Sequence, residues 1–62
     1  MTTDAEVLAV LDKLPEYDRK VLHLYYAECR PWLEIAALLR TSTEALKQIN
    51  ARACAVARNL KP

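Results

Sequence analysis

Apolar residues recur every three or four positions in four stretches of this chain, which is the spacing of amphipathic helices. The first stretch follows a Thr3-x-x-Glu6 pattern, in which a hydroxyl and a carboxylate can cap the free backbone N–H groups of a helix start. We therefore predict a first helix from about Asp4 to Lys13, stopped by Pro15. Its apolar positions are Val7, Leu8, Val10, Leu11 and Leu14.

Two prolines mark the starts of the second and third helices, because a residue without an N–H loses nothing in the first turn of a helix. The second helix is predicted from Pro15 to about Ala27 or Glu28, and the third from Pro31 to about Leu39. The apolar face of the second helix consists of Val21, Leu22, Leu24 and Tyr25. That of the third consists of Trp32, Ile35, Ala36, Leu38 and Leu39.

A polar break, Thr41-Ser42-Thr43, separates the third helix from a fourth, which we predict from Thr43 to Asn59. Hydroxyl side chains are favoured caps, so either Ser42 or Thr43 should cap this helix. Its apolar stripe consists of Leu46, Ile49, Ala53, Val56, Ala57 and Leu60. Its opposite face carries Glu44, Lys47, Gln48, Ala51, Arg52 and Ala55.

The composition favours an all-α fold. The chain has 62 residues, of which 53% are hydrophobic, and it contains no Gly. A sheet protein of this size would normally need Gly in its hairpin turns, which demand positive φ. A chain this short has room for one hydrophobic core at most. We predict a single small four-helix domain over residues 1–62, with a helix-turn-helix at its C-terminal end.

Charge is unevenly distributed along the chain, although the net charge is only +1. Acidic residues concentrate up to Glu34, and beyond it Glu44 is the only one. The basic residues beyond Glu34 are Arg40, Lys47, Arg52, Arg58 and Lys61. The C-terminal half therefore carries the positive potential that a phosphate-binding surface needs, whereas the low net charge argues against a large electrostatic footprint.

Catalytic, metal and membrane sites are not indicated by the sequence. His23 and Cys29 lack a third, orienting residue, so we expect no enzyme. A zinc site would need about four closely spaced ligands, and we expect no metal and no cofactor. No apolar run is long enough to cross a bilayer, and the N-terminus lacks a signal peptide, so the expected location is the cytoplasm. Cys29 and Cys54 should be free, partly buried thiols.

The last two predicted helices, joined by Arg40-Thr41-Ser42, have the arrangement of a helix-turn-helix. In such a pair, the N-terminal residues of the second helix enter the major groove and the first helix lies across the phosphate backbone. Lys, Arg and Gln side chains can pair with base edges, and hydroxyls at a helix start can bind phosphates. The candidate DNA-binding residues are Arg30, Arg40, Ser42, Thr43, Lys47, Gln48 and Arg52.

Four further side chains have expected positions. Trp32, at a helix start, should lie at the edge of the core. Tyr25 and Tyr26 are adjacent and should point to different sides of their helix, one into the core and the other partly toward solvent. Arg19 can pair with a carboxylate such as Glu34.

One ungapped pattern runs through nearly the whole chain. It consists of Leu11-Asp12-Lys13-Leu14-Pro15, Arg19, Val21, Glu34-Ile35-Ala36, Leu39, Ser42, Leu46-Lys47 and Arg52-Ala53. This pattern resembles region 4 of bacterial sigma factors, most closely the extracytoplasmic-function type. The related LuxR-type domain shares the Glu-Ile-Ala helix, but the Leu-Pro-x-x-x-Arg lead-in favours the sigma family. The resemblance implies a domain that reads the −35 promoter element and docks on the flap of RNA polymerase.

The chain departs from the usual family pattern at five positions, one of which is Thr41, where an apolar turn residue is usual. Cys29 and Arg40 stand where Gly is usual, and Arg40 is at a helix end that often takes positive φ. Ile49 stands where a basic residue is common, and Asn50 where a buried Leu is common. The apolar stripe of the last helix is therefore rotated by about one position.

Two functions remain open at this point. The first is a DNA-binding module that reads promoter-like double-stranded DNA. The second is a protein-interaction module: a sigma-like decoy that binds the polymerase flap, a partner of an anti-sigma-type protein, or a self-associating domain that forms a homodimer. The low net charge and the Ala-rich outer face of the last helix favour the second.

Overall fold

The computed structural model describes residues 3–59, and every regular element in that range is helical. The four α-helices are α1 (Asp4–Ala9), α2 (Glu16–Leu22), α3 (Trp32–Leu39) and α4 (Thr43–Asn59). A 3₁₀ turn (Leu11–Lys13) follows α1, and a π-helical turn (His23–Ala27) continues α2. The predicted all-α, four-helix fold is confirmed. No helix within residues 3–59 has the length and apolar character needed to span a membrane.

The first helix begins as predicted but ends early. The Thr3 hydroxyl accepts a hydrogen bond from the Glu6 N–H at 3.3 Å, and the Glu6 carboxylate accepts one from the Thr3 N–H at 3.2 Å. The prediction of one continuous helix to Lys13 is wrong, because the chain leaves α geometry at Val10 and continues with i→i−3 hydrogen bonds. Such tighter winding is common at helix ends. It gives hydrogen-bond partners to the N–H groups just before Pro15, whose ring restricts the backbone of Leu14.

Both prolines lie just outside the helices they precede. Pro15 and Pro31 have ψ of 154° and occupy the N-cap position, so the predicted starts of α2 and α3 were one residue early. The predicted end of the second helix near Ala27 is confirmed, but the π winding of its last five residues was not foreseen. The Glu28 N–H donates to the His23 carbonyl at 3.1 Å, closing the wider turn.

The turn between α3 and α4 has the predicted length and the expected left-handed residue. Arg40 has φ 56° and ψ 50°, and the following Thr41 N–H donates to the Ala36 carbonyl at 2.9 Å. The Ser42 hydroxyl then accepts the Ala45 N–H at 3.1 Å, so Ser42 is the capping hydroxyl. The predicted start of α4 at Thr43 is confirmed, and the helix continues through Asn59, the last residue that the structure describes.

The core forms where the shorter helices pack on the apolar stripe of α4. Leu22, Ile35 and Leu46 are completely buried, and burying each such side chain contributes roughly 1.5–3 kcal/mol. The predicted stripe is buried at Leu46, Ile49, Ala53 and Ala57. Val56 is only half-buried, which corrects its assignment to the core, and Leu60 lies outside the described residues.

Two leucines assigned to apolar faces are exposed. Leu38 on α3 is 60% exposed, and Leu8 on α1 is 37% exposed. At 100° per residue, each lies roughly 100° or more from the centre of its helix's buried side, which is too far round to reach α4. The stripes of these short helices are therefore narrower than the sequence pattern indicates.

The three aromatic residues around the π turn lie at the edge of the core. The Tyr25 and Trp32 rings stack with centroids 3.7 Å apart and planes 4° apart, and Tyr26 meets Tyr25 edge-on at 5.0 Å. The position expected of Trp32 is confirmed. Both tyrosines are half-buried, so the partial exposure expected of one ring is found, but neither ring is fully in the core as expected of the other. Each ring has its own partner across the corner, Trp32 for Tyr25 and Asn50 for Tyr26.

Both cysteines are free thiols, as expected. Cys54 is half-buried, whereas Cys29 is exposed, which corrects the expectation for that residue. Cys29 has φ 56° and forms the left-handed corner after the π turn, equivalent to that of Arg40 after α3. Residues 3–59 contain two non-glycine residues at positive φ, and both stand where the family pattern usually has Gly.

Replacing Arg40 with Gly should stabilise the fold. A Cβ at φ 56° is strained, and Gly relieves that strain, although it also gains freedom in the unfolded chain. We expect Arg40→Gly to raise the free energy of unfolding by about 0.5–1 kcal/mol, measured by urea denaturation. The matched control is Arg58→Gly in α4, which should lower stability by a similar amount. Equal losses in both variants would contradict the left-handed geometry at Arg40.

Candidate nucleic-acid interface

The solvent side of α4 forms one continuous face. Residues three or four positions apart on a helix are neighbours, so Glu44, Lys47, Gln48 and Ala51 lie along one side, and all four are exposed. Burial of Leu46 and Ile49 on the other side fixes this orientation. The predicted opposite face is confirmed except at Ala55, which is half-buried.

The start of α4 places two hydroxyl residues beside this face. Ser42 is exposed and Thr43 is half-buried. The Ser42 oxygen accepts the Ala45 N–H, which leaves the hydroxyl proton free to donate to an anion. Glu44 lies in the same first turn, where its negative charge opposes phosphate binding.

The candidate cations fall into two groups. Arg40 and Lys47 are exposed, and within residues 3–59 neither forms an ion pair. Both are therefore free to meet an external anion. Arg30 and Arg52, in contrast, pair with carboxylates of the chain.

Arg30 lies at the centre of a small charged network. Its Nη1 is 3.0 Å from Glu34 and its Nε is 3.1 Å from Glu28, while His23 Nδ1 is 3.5 Å from the other Glu28 oxygen. The hydrogen bonds that Arg30 donates to Glu34 and, with a smaller effect, to Glu28 raise the pKa of its guanidinium. Glu34 thus pairs with Arg30, and the expected pairing of Arg19 with Glu34 is not formed.

Arg52 reaches back from α4 to α2. Its Nη2 lies 3.6 Å from an Asp18 carboxylate oxygen. The Arg52 side chain is 63% exposed, whereas that of Asp18 is only 13% exposed. The pair therefore joins a solvent-facing cation to a largely covered anion.

A second tie holds α4 at Asn50. The Tyr26 hydroxyl donates to Asn50 Oδ1 at 2.5 Å, and the Cys54 thiol lies 4.0 Å from the same oxygen. Burial raises the pKa of the Tyr26 phenol to about 12, with a smaller contribution from the nearby Cys54. The sequence signal for this contact was the polar Asn50 where an apolar residue is common, but it did not identify the partner.

An open groove of about 880 Å³ lies between α1 and α2, and sequence reasoning missed it. Its apolar lining includes Leu8, Leu11 and Leu24. Its rim carries both signs of charge, from the basic Arg19 and Lys20 and the acidic Asp12, Glu16 and Glu28. The exposure of Leu8 in the structure marks this surface, and no pattern in the sequence indicated it. Among residues 3–59, no group of three potential metal ligands is found.

The structure brings most of the predicted DNA-binding residues together. Ser42, Thr43, Lys47 and Gln48 lie in the first two turns of α4 or at its cap, and Arg40 precedes them in the turn. Arg30 lies before α3, held by its carboxylates.

Comparison with known protein families gives one match. A model of the family described as sigma-70, region 4 matches residues 10–59. Searches of curated proteins and of solved structures found no significant match.

The raised pKa of Tyr26 should make the fold sensitive to alkali. Between pH 10 and about 12 the unfolded chain ionises this phenol while the folded chain keeps it neutral, so its contribution is complete below pH 10 and is lost across that range. Tyr26→Phe should remove this part of the loss of stability, measured by denaturant unfolding at several pH values. Tyr17→Phe, at an exposed position, is the control and should leave the decline unchanged. Ionisation of Tyr26 near pH 10, seen by tyrosinate absorbance, would contradict the prediction.

Proposed function

The chain belongs to the sigma-70 region 4 family of DNA-binding, RNA polymerase-associated transcription modules, and on that premise we propose that it reads a −35-like promoter duplex through the start of α4. The observation that carries this proposal is the exposed face with Lys47 and Gln48 in the first two turns of the second helix of a helix-turn-helix. The pattern from Leu14-Pro15 to Arg52-Ala53 supports the extracytoplasmic-function type within the family.

Each residue of this face has a chemistry suited to duplex DNA. Gln48 can pair bidentately with adenine, and Lys47 can bind guanine or a phosphate. Ser42 and Thr43, at the positive end of the helix dipole, suit a phosphate at the groove edge, and Arg40 suits a second one. In this arrangement α3 lies across the backbone and the first turns of α4 enter the major groove.

The free charge on this face is small. Arg40 and Lys47 are its unpaired cations within the described residues, and Glu44 offsets one of them. Because affinity for DNA at physiological salt depends strongly on phosphate contacts, two or three contacts give weak binding. The domain therefore needs a protein partner to hold it at a promoter.

The groove between α1 and α2 supplies the surface for such a partner. Its leucines suit the apolar side of an amphipathic helix, and its rim of mixed charge suits a helix with charges of both signs beside that apolar side. RNA polymerase is the partner that the family favours. An anti-sigma-type protein or a second copy of this chain are the competing occupants.

Replacing Lys47 with Ala should weaken binding to every duplex. Loss of one phosphate contact should also flatten the dependence of log affinity on log salt by about one unit. Affinity is measured by fluorescence anisotropy over a salt series, with duplexes that contain or lack a −35-like element. The control is Lys13→Ala, which removes the same charge outside the helix-turn-helix and should leave the slope unchanged.

Gln48→Ala gives the matching test of base reading. It should reduce discrimination at one base pair by about 1–3 kcal/mol and leave the salt slope as it was. If the parent protein binds all duplexes equally, with micromolar or weaker affinity, promoter reading is wrong.

Replacing Leu8 with Glu should prevent docking of a partner in the groove. A carboxylate among apolar side chains costs desolvation energy, so we expect at least a tenfold loss of affinity for purified RNA polymerase core, with affinity for DNA unchanged. Tyr17→Glu alters an exposed aromatic residue of α2 outside the groove and should bind polymerase normally. If neither variant nor parent binds polymerase, sedimentation of the parent tests for a dimer.

A further inference from the structure

Asp18 is a largely covered carboxylate with one basic partner. It lies in the first turn of α2, where its charge favours the helix dipole, but its side chain is only 13% exposed. Among residues 3–59, the guanidinium of Arg52 is the only basic group that pairs with it. A carboxylate in such surroundings is costly unless a charge or hydrogen-bond donor compensates it.

Arg52 lies far from the part of α4 that would read bases. It is nine positions beyond Thr43, which is about 14 Å along the helix at 1.5 Å per residue. Its guanidinium turns back toward α2. This position suits a contact within the protein better than one with a base edge.

Two polar ties hold α4 from different sides. Asn50 bonds Tyr26 of the π turn, and Arg52 pairs with Asp18 of α2. The two residues of α4 are two positions apart, which separates them by about 200° around the helix axis. Ties on opposite sides restrain rotation of α4 about its axis, and that rotation decides where Lys47 and Gln48 point.

We infer that Arg52 is a positioning residue. It acts through Asp18 to set the rotation of α4 about its axis, and it affects DNA binding in this way and not by contacting a phosphate. The part of this inference that concerns DNA binding rests on the proposed function. The tie itself is a property of the free protein and can be tested without DNA.

Asp18→Asn distinguishes a positioning Arg52 from a phosphate-binding one by the sign of its effect. If Arg52 positions α4, the variant should bind a −35-like duplex about two- to fivefold more weakly, with an unchanged salt slope. If Arg52 binds phosphate, release from Asp18 should raise affinity and steepen the slope, and this result would overturn the inference. Glu16→Gln, which removes the same charge from an exposed site on α2, corrects for the general effect of charge.

Variants of Arg52 supply the rescue test. Arg52→Gln should lose affinity by a similar factor, and Arg52→Lys should recover part of it. Adding Asp18→Asn to Arg52→Gln should cost little more, because the tie is already broken, and adding Glu16→Gln should change affinity only by the general effect of charge. A further loss of two- to fivefold in the double variant, or a salt slope reduced by about one unit in Arg52→Gln, overturns the inference.

Thermal unfolding without DNA tests the tie independently, with the parent, Asp18→Asn, Arg52→Gln and the double variant of these two. The two single variants at Asp18 and Arg52 should each lower Tm, and the double variant should lower it by less than their sum. Strict additivity means that no tie exists and overturns the inference. If the parent binds no duplex, the proposed function fails, while this cycle still decides whether Asp18 and Arg52 are coupled.

Discussion

The packing of three short helices onto the apolar stripe of α4 is the constraint on which the rest of the structure depends. The helices α1, α2 and α3 have six, seven and eight residues, and isolated helices below about 12–15 residues are marginal in water. They persist because they bury Val7, Leu22 and Ile35 against α4. The surface proposed to read DNA is the reverse side of that same helix, so any change in core packing also moves it.

The sequence predicted those features that depend on local patterns. Helical periodicity and capping chemistry predicted the start of α4, the end of α3 and a hydroxyl cap at Ser42 or Thr43, because each rests on residues three or four positions apart. The break at Val10 and the π turn were missed, since windings of three, 3.6 and more residues per turn leave nearly the same pattern over one turn.

The candidate site was predictable in its residues but not in its pairings. The pattern identified Lys47 and Gln48 on an exposed face because the core-facing stripe excludes them. It could not show that Arg52 reaches Asp18 or that Tyr26 reaches Asn50, since these partners are distant in the chain and meet only after the helices pack. The groove was not predicted for the same reason, because it forms between helices and no pattern within a single helix indicates it.

Between residues 3 and 59 the chain builds two left-handed corners, at Cys29 and Arg40, and its sequence contains no glycine. The backbone at each corner is more strained than it would be with Gly. However, a chain without Gly also has fewer backbone conformations available when it is unfolded. Folding therefore removes less conformational entropy per residue than in a glycine-containing relative. For a domain with so small a core, a restricted unfolded ensemble is a source of stability that no contact in the folded state reveals.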